Sequence, residues 1–202
     1  MATELEIKFE VGDLQKLDCL LCDPEVREKM KGDFRYTKME TTYFDTADGA
    51  LRERKWALRL RLENGEPVVT CKTAGEGYTR GEWECRERYL EDALPKLVLQ
   101  GAPQTLTRLF EREPPIPVCR AQFTRISADL VFPDGSRCEL DGDIGDLFGG
   151  SRRESLCELE LERKEGGEAA MLTFARELQR KYSLREEPLS KFARARALAD
   201  DQ

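Results

Sequence analysis

Charged and aliphatic residues alternate along several segments of the chain with the two-residue period of a β-strand. The first segment, Glu4 to Val11, places Glu4, Glu6 and Lys8 on one face. A single strand of this kind is typical of a sheet with one face in water. Strands closed into a barrel with a charged interior would explain why so many charged faces, of both signs, recur. Periodicity alone leaves two alternatives open, this barrel and a solvated sheet packed on helices. The alternation recurs in 56–63, 67–73, 80–89 and 155–163.

Helix and turn signals separate the predicted strands. A stripe of Leu14, Leu17, Leu20 and Leu21 predicts a helix after the first strand, and Asp23 followed by proline predicts the start of a second. The dipeptide at 64–65, Asn-Gly, predicts a tight hairpin, and Pro-Asp-Gly at 133–135 predicts another. No repeat or linker divides the chain, so we predict one domain over residues 1–202. The remaining predicted elements are strands at 34–46, 118–132 and 137–147, a break at 47–49, one or two helices in 94–112, and helices at 168–181 and after Pro188.

Composition narrows the possible functions. The 202 residues carry a net charge of −7, which argues against nucleic acid as the main partner because DNA binding needs a basic surface. No apolar run reaches the length of a membrane-spanning helix, and no signal-peptide pattern is present, so we expect a cytoplasmic protein without membrane contact. Seven scattered cysteines fit reduced thiols. Cys19 and Cys22 have the spacing of a redox or zinc motif, but with no second pair downstream we expect them to be core residues on a helix. Without any histidine, catalysis must use carboxylates, Lys, Arg, Tyr and hard metal ions.

The charged faces together supply the groups that a metal-bound polyanion needs. Arginine side chains can contact phosphate with two parallel hydrogen bonds, lysines act as point charges, and carboxylates hold Mg²⁺ or Mn²⁺. Any single strand of this set is more often a solvated face, with cross-strand charge pairs of little energetic value. The co-occurrence of both signs on several strands favours a site. The inward-facing candidates are Glu4, Glu6, Lys8, Arg59, Arg61, Lys72, Glu82, Glu84, Arg125, Glu139, Asp141, Asp143, Glu158 and Glu160.

An ordered set of short motifs resembles the CYTH domain, or triphosphate tunnel metalloenzyme, family over essentially the whole chain. Its hallmark Glu-x-Glu-x-Lys is matched by residues 4–8, and Cys-Glu-Leu-Glu-Leu-Glu stands at 157–162. The intervening matches are Tyr43-Phe44-Asp45-Thr46, Leu58-Arg59-Leu60-Arg61, Cys71-Lys72-Thr73, Arg80-Gly81-Glu82, Phe123-Thr124-Arg125 and Glu139 with Asp143, and the last is Leu189-Ser190-Lys191.

The resemblance implies an α+β fold, an eight-stranded antiparallel β-barrel forming a tunnel with helices packed outside. It implies that Glu4, Glu6, Glu158 and Glu160 hold Mg²⁺ or Mn²⁺. It further implies that phosphates are held by Lys8, Arg59, Arg61, Lys72, Arg125 and Lys191. The implied catalytic residues are Glu82, Asp143, Glu160 and Lys191. In the family, a C-terminal helix bearing such a lysine can plug or cap the tunnel.

The C-terminal half, to Lys191 and Arg194, looks most like the bacterial inorganic triphosphatases, so we expect cleavage of inorganic triphosphate to pyrophosphate and phosphate. The alternatives within the fold are an adenylate cyclase and a thiamine-triphosphatase; a non-catalytic polyphosphate- or nucleotide-binding module is the alternative of another class. Nothing identifiable recognises a base or a thiazolium ring, and Trp56, Tyr78 and Trp83 are the first residues to suspect if one is bound. The expected partner is a small-molecule triphosphate, and a homodimer is left open.

Overall fold

The fold is built on one antiparallel sheet. The computed structural model describes residues 5–73, 81–111 and 113–200, so Glu4, Tyr78 and Arg80 lie outside the described residues. Strand order in the sheet is β5-β4-β3-β2-β6-β7-β8-β1-β9. The strands are β1 (Glu6–Glu10), β2 (Met30–Asp45), β3 (Ala57–Glu63), β4 (Glu66–Thr73), β5 (Gly81–Cys85), β6 (Ile116–Val131), β7 (Arg137–Gly149), β8 (Arg152–Glu165) and β9 (Arg185–Glu186).

Of the predicted α+β fold with a closed eight-stranded barrel, the structure confirms the α+β class and a large antiparallel sheet. The closure of the barrel is not confirmed. The described residues form nine strands, because a two-residue strand at 185–186 pairs with the outer edge of β1. Within these residues, no ladder joins β5 to β1 or β9, so the sheet is open between its two edges. The short β9 escaped prediction because two residues carry no periodicity.

Seven helices accompany the sheet in the described part of the chain. The predicted cap Asp13 accepts a hydrogen bond from the Lys16 amide at 2.8 Å, and Asp23 caps the next helix, with Pro24 at its first position. No helix among the described residues is long and apolar enough to cross a membrane. The helices are α1 (Leu14–Leu21), α2 (Pro24–Lys29), α3 (Ala50–Glu53), α4 (Leu90–Leu99), α5 (Thr105–Phe110), α6 (Ala169–Tyr182) and α7 (Lys191–Asp200).

The apolar face of the central strands forms the main core beneath α1 and α6. Phe9, Leu159 and Leu161 are fully buried there against Leu17 and Phe174. A second cluster lies between β3, β4 and helices α4 and α5. Because alternate residues of a strand point to opposite faces, burying these aliphatic side chains turns the charged residues between them to the other face.

Several local predictions need correction. Leu14 is 53% exposed and Cys19 and Cys22 are exposed, because the buried stripe of α1 consists of Leu17, Leu20 and Leu21 alone. The predicted break at 47–49 is confirmed, but it leads into a four-residue helix, α3, that was not predicted, in which Asp45 accepts hydrogen bonds from the amides of Leu51 and Arg52. The predicted 94–112 region is two helices, and the first begins at Leu90 with acidic residues in its first turn.

Helix α7 packs on the face of the sheet opposite the main core, the face to which the charged residues point. Its apolar residues Phe192, Ala195 and Leu198 form a third cluster with β2, β6, β7 and β8. The ring of Phe192 lies 4.9 Å from that of Tyr43. A Cβ at Gly149 would stand 2.2 Å from the carbonyl oxygen of Ala195, so glycine at this position allows the helix backbone to approach β7.

Candidate active site

The strand register places the predicted charged residues on one face of the sheet, called here the charged face. Lys8 is opposite Glu160, Glu160 is opposite Asp141, and Arg125 is opposite Asp143. Residues directly opposite in an antiparallel pair point to the same face. The remaining members follow from the same ladders: Arg59 with Thr70 and Glu84, Arg61 with Val68, Lys72 with Glu82, and Glu158 with Asp143 and Glu10.

Three buried carboxylates form the acidic centre of this face. Asp143, Glu158 and Glu160 each offer an oxygen, and these oxygens lie within 4.8 Å of one another. The Nζ of Lys191 contacts all three, at 2.8, 2.7 and 2.6 Å respectively. Lys191 reaches them because it is the first residue of α7. We call Asp143, Glu158 and Glu160 the carboxylate triad.

Neighbouring charges favour the ionised forms of Glu160 and Lys191 although both side chains are buried. Burial alone would raise the pKa of Glu160, but the ammonium groups of Lys191 and Lys8 and the Arg125 guanidinium lower it below its ordinary value. Burial likewise opposes the charge on Lys191, yet the three carboxylates raise its pKa well above normal. The site therefore holds charges of both signs in a region from which water is largely excluded.

Arg125 is held by carboxylates on every side. Its Nε and one terminal nitrogen contact the two oxygens of Asp143 at 2.8 and 2.6 Å; that nitrogen also contacts Glu160 at 2.6 Å. The other terminal nitrogen lies 2.8 Å from Asp141. The predicted role of Arg125 in binding phosphate stays a prediction, and in this structure the side chain orients two members of the triad.

Asp141, which was predicted to face inward, and Ser127, which was not predicted, extend this network. The Ser127 hydroxyl donates to Asp141 at 2.5 Å, and the carboxylate is 1% exposed. Burial raises the pKa of Asp141 to about 7, against the lowering effects of Arg125 and Ser127. Asp141 was recognisable as inward-facing from its alternation with Asp143, but Ser127 gave no signal because serine is common on solvated strands.

Arg194 is a second cation delivered by α7. Its guanidinium contacts Glu158 on the oxygen that Lys191 does not use, and it also contacts Glu154. Glu187 lies 3.9 Å away. Both oxygens of Glu158 are thus paired with side chains of one helix.

A basic group lies on strands β3 to β5. Lys72 contacts Glu82 at 3.1 Å, Arg59 is 3.8 Å from the same carboxylate, and Arg61 pairs with Glu63. The Nε atoms of Arg59 and Arg61 are buried and make no hydrogen bond within the described residues. Burial and the neighbouring charges of Arg59 and Arg125 lower the pKa of Arg61. The three cations are interleaved with the carboxylates of Glu63, Glu82 and Glu84, and the two arginines retain Nε donors that an anion would accept.

The predicted site residues divide between these two regions. Glu158, Glu160, Asp143, Lys191 and Arg125 come together in the acidic centre. Lys8 joins its edge, near Glu160, with Glu6 at 3.9 Å. The basic group contains Arg59, Arg61, Lys72 and Glu82, and the placement of Glu4 lies outside the described residues.

The acidic centre fits a hard divalent cation. Its donors are carboxylate oxygens alone, the type of ligand that Mg²⁺ and Mn²⁺ prefer. Sulfur and imidazole ligands, which would favour zinc or copper, are absent from this group. The donor set therefore agrees with the predicted metal, without distinguishing one ion from the other.

Comparison with solved structures gives the same fold at low sequence identity. A Hippeastrum protein, described as a putative adenylyl cyclase with a dominant triphosphatase activity, aligns with a TM-score of 0.60 at 18% identity, over 96% of this chain and 95% of that one. Protein PH1819 of Pyrococcus horikoshii OT3 aligns with a TM-score of 0.55 at 19% identity, over 98% and 99%. A putative adenylate cyclase of Bacillus halodurans aligns with a TM-score of 0.55 at 18% identity, over 94% and 96%. At these identities the likeness establishes the fold alone.

The family follows from the sequence itself. The model of the CYTH domain matches residues 2–195, nearly the whole chain. This match includes every strand and the start of α7, and with them the carboxylate triad and the basic group. The chain belongs to the CYTH domain family.

Proposed function

We propose that this protein is a Mg²⁺- or Mn²⁺-dependent hydrolase that cleaves inorganic triphosphate to pyrophosphate and phosphate. The observation that carries the proposal is the shared face of the sheet, which holds a buried carboxylate triad and two arginines, Arg59 and Arg61, whose Nε atoms make no hydrogen bond within the described residues. Such an arrangement binds a polyanion through cations and a bridging metal ion. The description of the Hippeastrum protein adds support by analogy.

Each region has its own task in this proposal. Arg59, Arg61 and Lys72 bind the phosphates, and the arginines offer planar donor pairs that match phosphate oxygens. Glu158 and Glu160, with Glu6 and Asp143, hold the metal ion. When bound, that ion neutralises charge on the phosphates and orients the phosphoryl group for in-line attack by water.

The catalytic contribution of the protein is positioning and charge stabilisation. The chain has no histidine, so no side chain of that type can serve as a base near neutral pH. Arg125 fixes the rotamers of Asp143 and Glu160, while Glu82 holds Lys72 in place. Fixed charges of this kind stabilise a transition state without reorganisation during the reaction.

Phosphate count should decide substrate choice. Trp56 and Trp83 pack against the apolar cluster under α4, so neither ring is available for stacking on a base at the charged face. We expect inorganic triphosphate to exceed ATP in kcat/KM by at least about tenfold, the value of one charge-assisted contact. Thiamine triphosphate and long-chain polyphosphate belong in the same comparison on one preparation.

The decisive assay measures phosphate release from inorganic triphosphate with Mg²⁺ or Mn²⁺, and again with excess chelator. Glu158→Gln should abolish release, and Glu165→Gln is a matched control because Glu165 lies on the same strand at its exposed end. Release that is equally fast with chelator would refute the mechanism. Cyclic AMP formed from ATP would identify a cyclase instead, and tight triphosphate binding without turnover would identify a binding module.

A further inference from the structure

Cys19 and Cys22 have the spacing of a redox motif, and neither lies in the core. Both side chains are exposed, while Leu17, Leu20 and Leu21 form the buried stripe of α1. Core packing therefore does not explain the pair. We propose that Cys19 and Cys22 form a surface dithiol that reacts with a small-molecule disulfide, such as oxidised glutathione, and closes a reversible disulfide within α1. This inference is independent of the proposed hydrolase activity.

The position of the pair at the end of α1 allows the bond to form. Residues three apart in an α-helix have Cα atoms about 5 Å apart, within the range of about 4.4–6.8 Å that disulfides span. Their Cβ atoms, about 5–6 Å apart, must approach to about 3.5–4.5 Å. Cys22 is the C-terminal cap of α1, and Asp23 after it is no longer helical, with a ψ of 131°. The movement that closes the bond is therefore confined to the last turn.

The same turn is held firmly on its buried side. Leu20 and Leu21 pack in the main core, and Asp23 accepts a hydrogen bond from the Tyr182 hydroxyl of α6 at 2.6 Å. These contacts do not involve either sulfur, so a reagent reaches both thiols while the turn stays folded. Among the described residues, no third cysteine, aspartate or glutamate joins the pair to complete a metal site.

Arg27 gives the two sulfurs different roles. Its guanidinium donates a hydrogen bond to the sulfur of Cys22 at 3.8 Å, and its central carbon lies 4.6 Å from the centroid of the Phe34 ring. A cation held beside a sulfur attracts the negative charge that an attacking thiolate carries. Cys22 is therefore the attacking thiol and Cys19 the resolving one.

The reaction has two exchange steps. The Cys22 thiolate attacks one sulfur of oxidised glutathione, the bond between the two glutathione sulfurs breaks, and one glutathione thiolate leaves. The Cys19 thiolate then attacks the Cys22 sulfur of this mixed disulfide and releases the second glutathione thiolate. The two thiol protons of the protein end on the two glutathiones, and two electrons from the protein reduce the reagent.

The other five cysteines are protected by their surroundings. Cys71, Cys119 and Cys138 are buried, and burial raises the pKa of each thiol to about 12. Burial is also the main cause that raises the pKa of half-buried Cys157 to about 11 and the pKa of Cys85 above its ordinary value. Few thiolates form at these five positions near neutral pH, so the fold directs oxidation to α1.

The experiment treats the reduced protein with oxidised glutathione and locates every modification by intact-protein and peptide mass spectrometry. We expect the wild type to lose the mass of two hydrogen atoms through a bond between Cys19 and Cys22, and to regain it with dithiothreitol. The pair should react at least about tenfold faster than any other cysteine, because thiolates are scarce at the raised pKa values of the others. No reaction, oxidation spread over the other cysteines, or a lasting glutathione adduct instead of the internal bond would overturn the proposal.

Variants test the order of the two steps. Cys19→Ser should keep glutathione on Cys22, because the resolving thiol is gone, and Cys22→Ser should react several-fold more slowly, because its remaining thiol lacks the contact with Arg27. Cys85→Ser is the matched control, since it removes a half-buried thiol on β5 and should close the bond at the wild-type rate. Equal rates of glutathione attachment in Cys19→Ser and Cys22→Ser would overturn the assignment of the attack to Cys22.

Discussion

Replacing Glu160 by glutamine tests how much the acidic centre contributes to the stability of the fold, in addition to its proposed role in metal binding. The substitution keeps the size of the side chain and removes one negative charge from a residue that is 6% exposed. It leaves Lys191 and Arg125 with one fewer carboxylate, at contacts that are now 2.6 Å each. Lys191 is buried and the Arg125 side chain is only 17% exposed, so solvent can replace little of the lost charge.

The expected cost follows from these contacts. Removing one partner of a buried ion pair destabilises a protein by about 3–5 kcal/mol. Lys191 keeps two carboxylates and Arg125 keeps Asp141 and Asp143, so we expect the lower end, about 3 kcal/mol. For a domain of this size that corresponds to a fall in Tm of about 6–12 °C. The variant should still fold, since total stabilities are about 5–15 kcal/mol.

Thermal unfolding in chelator measures this cost in the absence of metal. Glu6→Gln is the comparison, because Glu6 is 29% exposed and lies 3.9 Å from Lys8; its Tm should stay near that of wild type. Both variants should lose on the order of a hundredfold or more in phosphate release, as expected for lost metal ligands. A Tm of Glu160→Gln within 2 °C of wild type would refute the view that this carboxylate is locked between buried cations.

Two further predictions concern pH and substrate binding. Burial would raise the pKa of Asp23, but hydrogen bonds from Lys181 and Tyr182 outweigh it and lower that pKa. The stability that this ionised carboxylate contributes is present above its pKa in the unfolded chain, near 4, and is lost as pH falls through its pKa in the folded protein. Asp23→Asn should therefore flatten the fall in Tm between about pH 4 and pH 2. An unchanged slope of Tm against pH would contradict this. Arg61→Lys should raise KM for triphosphate at least about tenfold with kcat little changed, because a lysine cannot replace a bidentate contact. Initial-rate kinetics measure both constants, and an unchanged KM would show that Arg61 does not contact the substrate.

Strand periodicity predicted which residues share the charged face. Arg59 and Arg61, Lys72, and Glu158 with Glu160 all lie there, because the aliphatic residues between them must be buried on the other face. The hairpin at Asn64-Gly65 was also predictable, and both residues have positive φ. These features are local, and local sequence is enough to determine them.

Pairing between distant groups could not be predicted in the same way. Alternation indicates that Arg125 faces inward and the family resemblance implies Lys191, but neither shows that carboxylates from β7 and β8 use nearly all their donors. That outcome depends on how α7 crosses the sheet. The helix contacts the triad through Lys191, which lies more than 30 residues after Glu158 in the chain. Whether the sheet closes likewise depends on strand ends, where the periodic signal is weakest.

Gly149 sets how closely α7 approaches the sheet, because glycine has no Cβ. The carbonyl oxygen of Ala195 would stand 2.2 Å from a Cβ there, whereas ordinary contact begins at 3.4 Å, so even alanine would require the helix and strand to separate by more than 1 Å. The same rigid displacement would carry Lys191 away from its three oxygens, although residue 149 is itself uncharged. The size of residue 149 therefore helps to set the distances between Lys191 and the carboxylate triad. A related sequence with a larger residue at this position would keep the same charged groups but hold them farther apart.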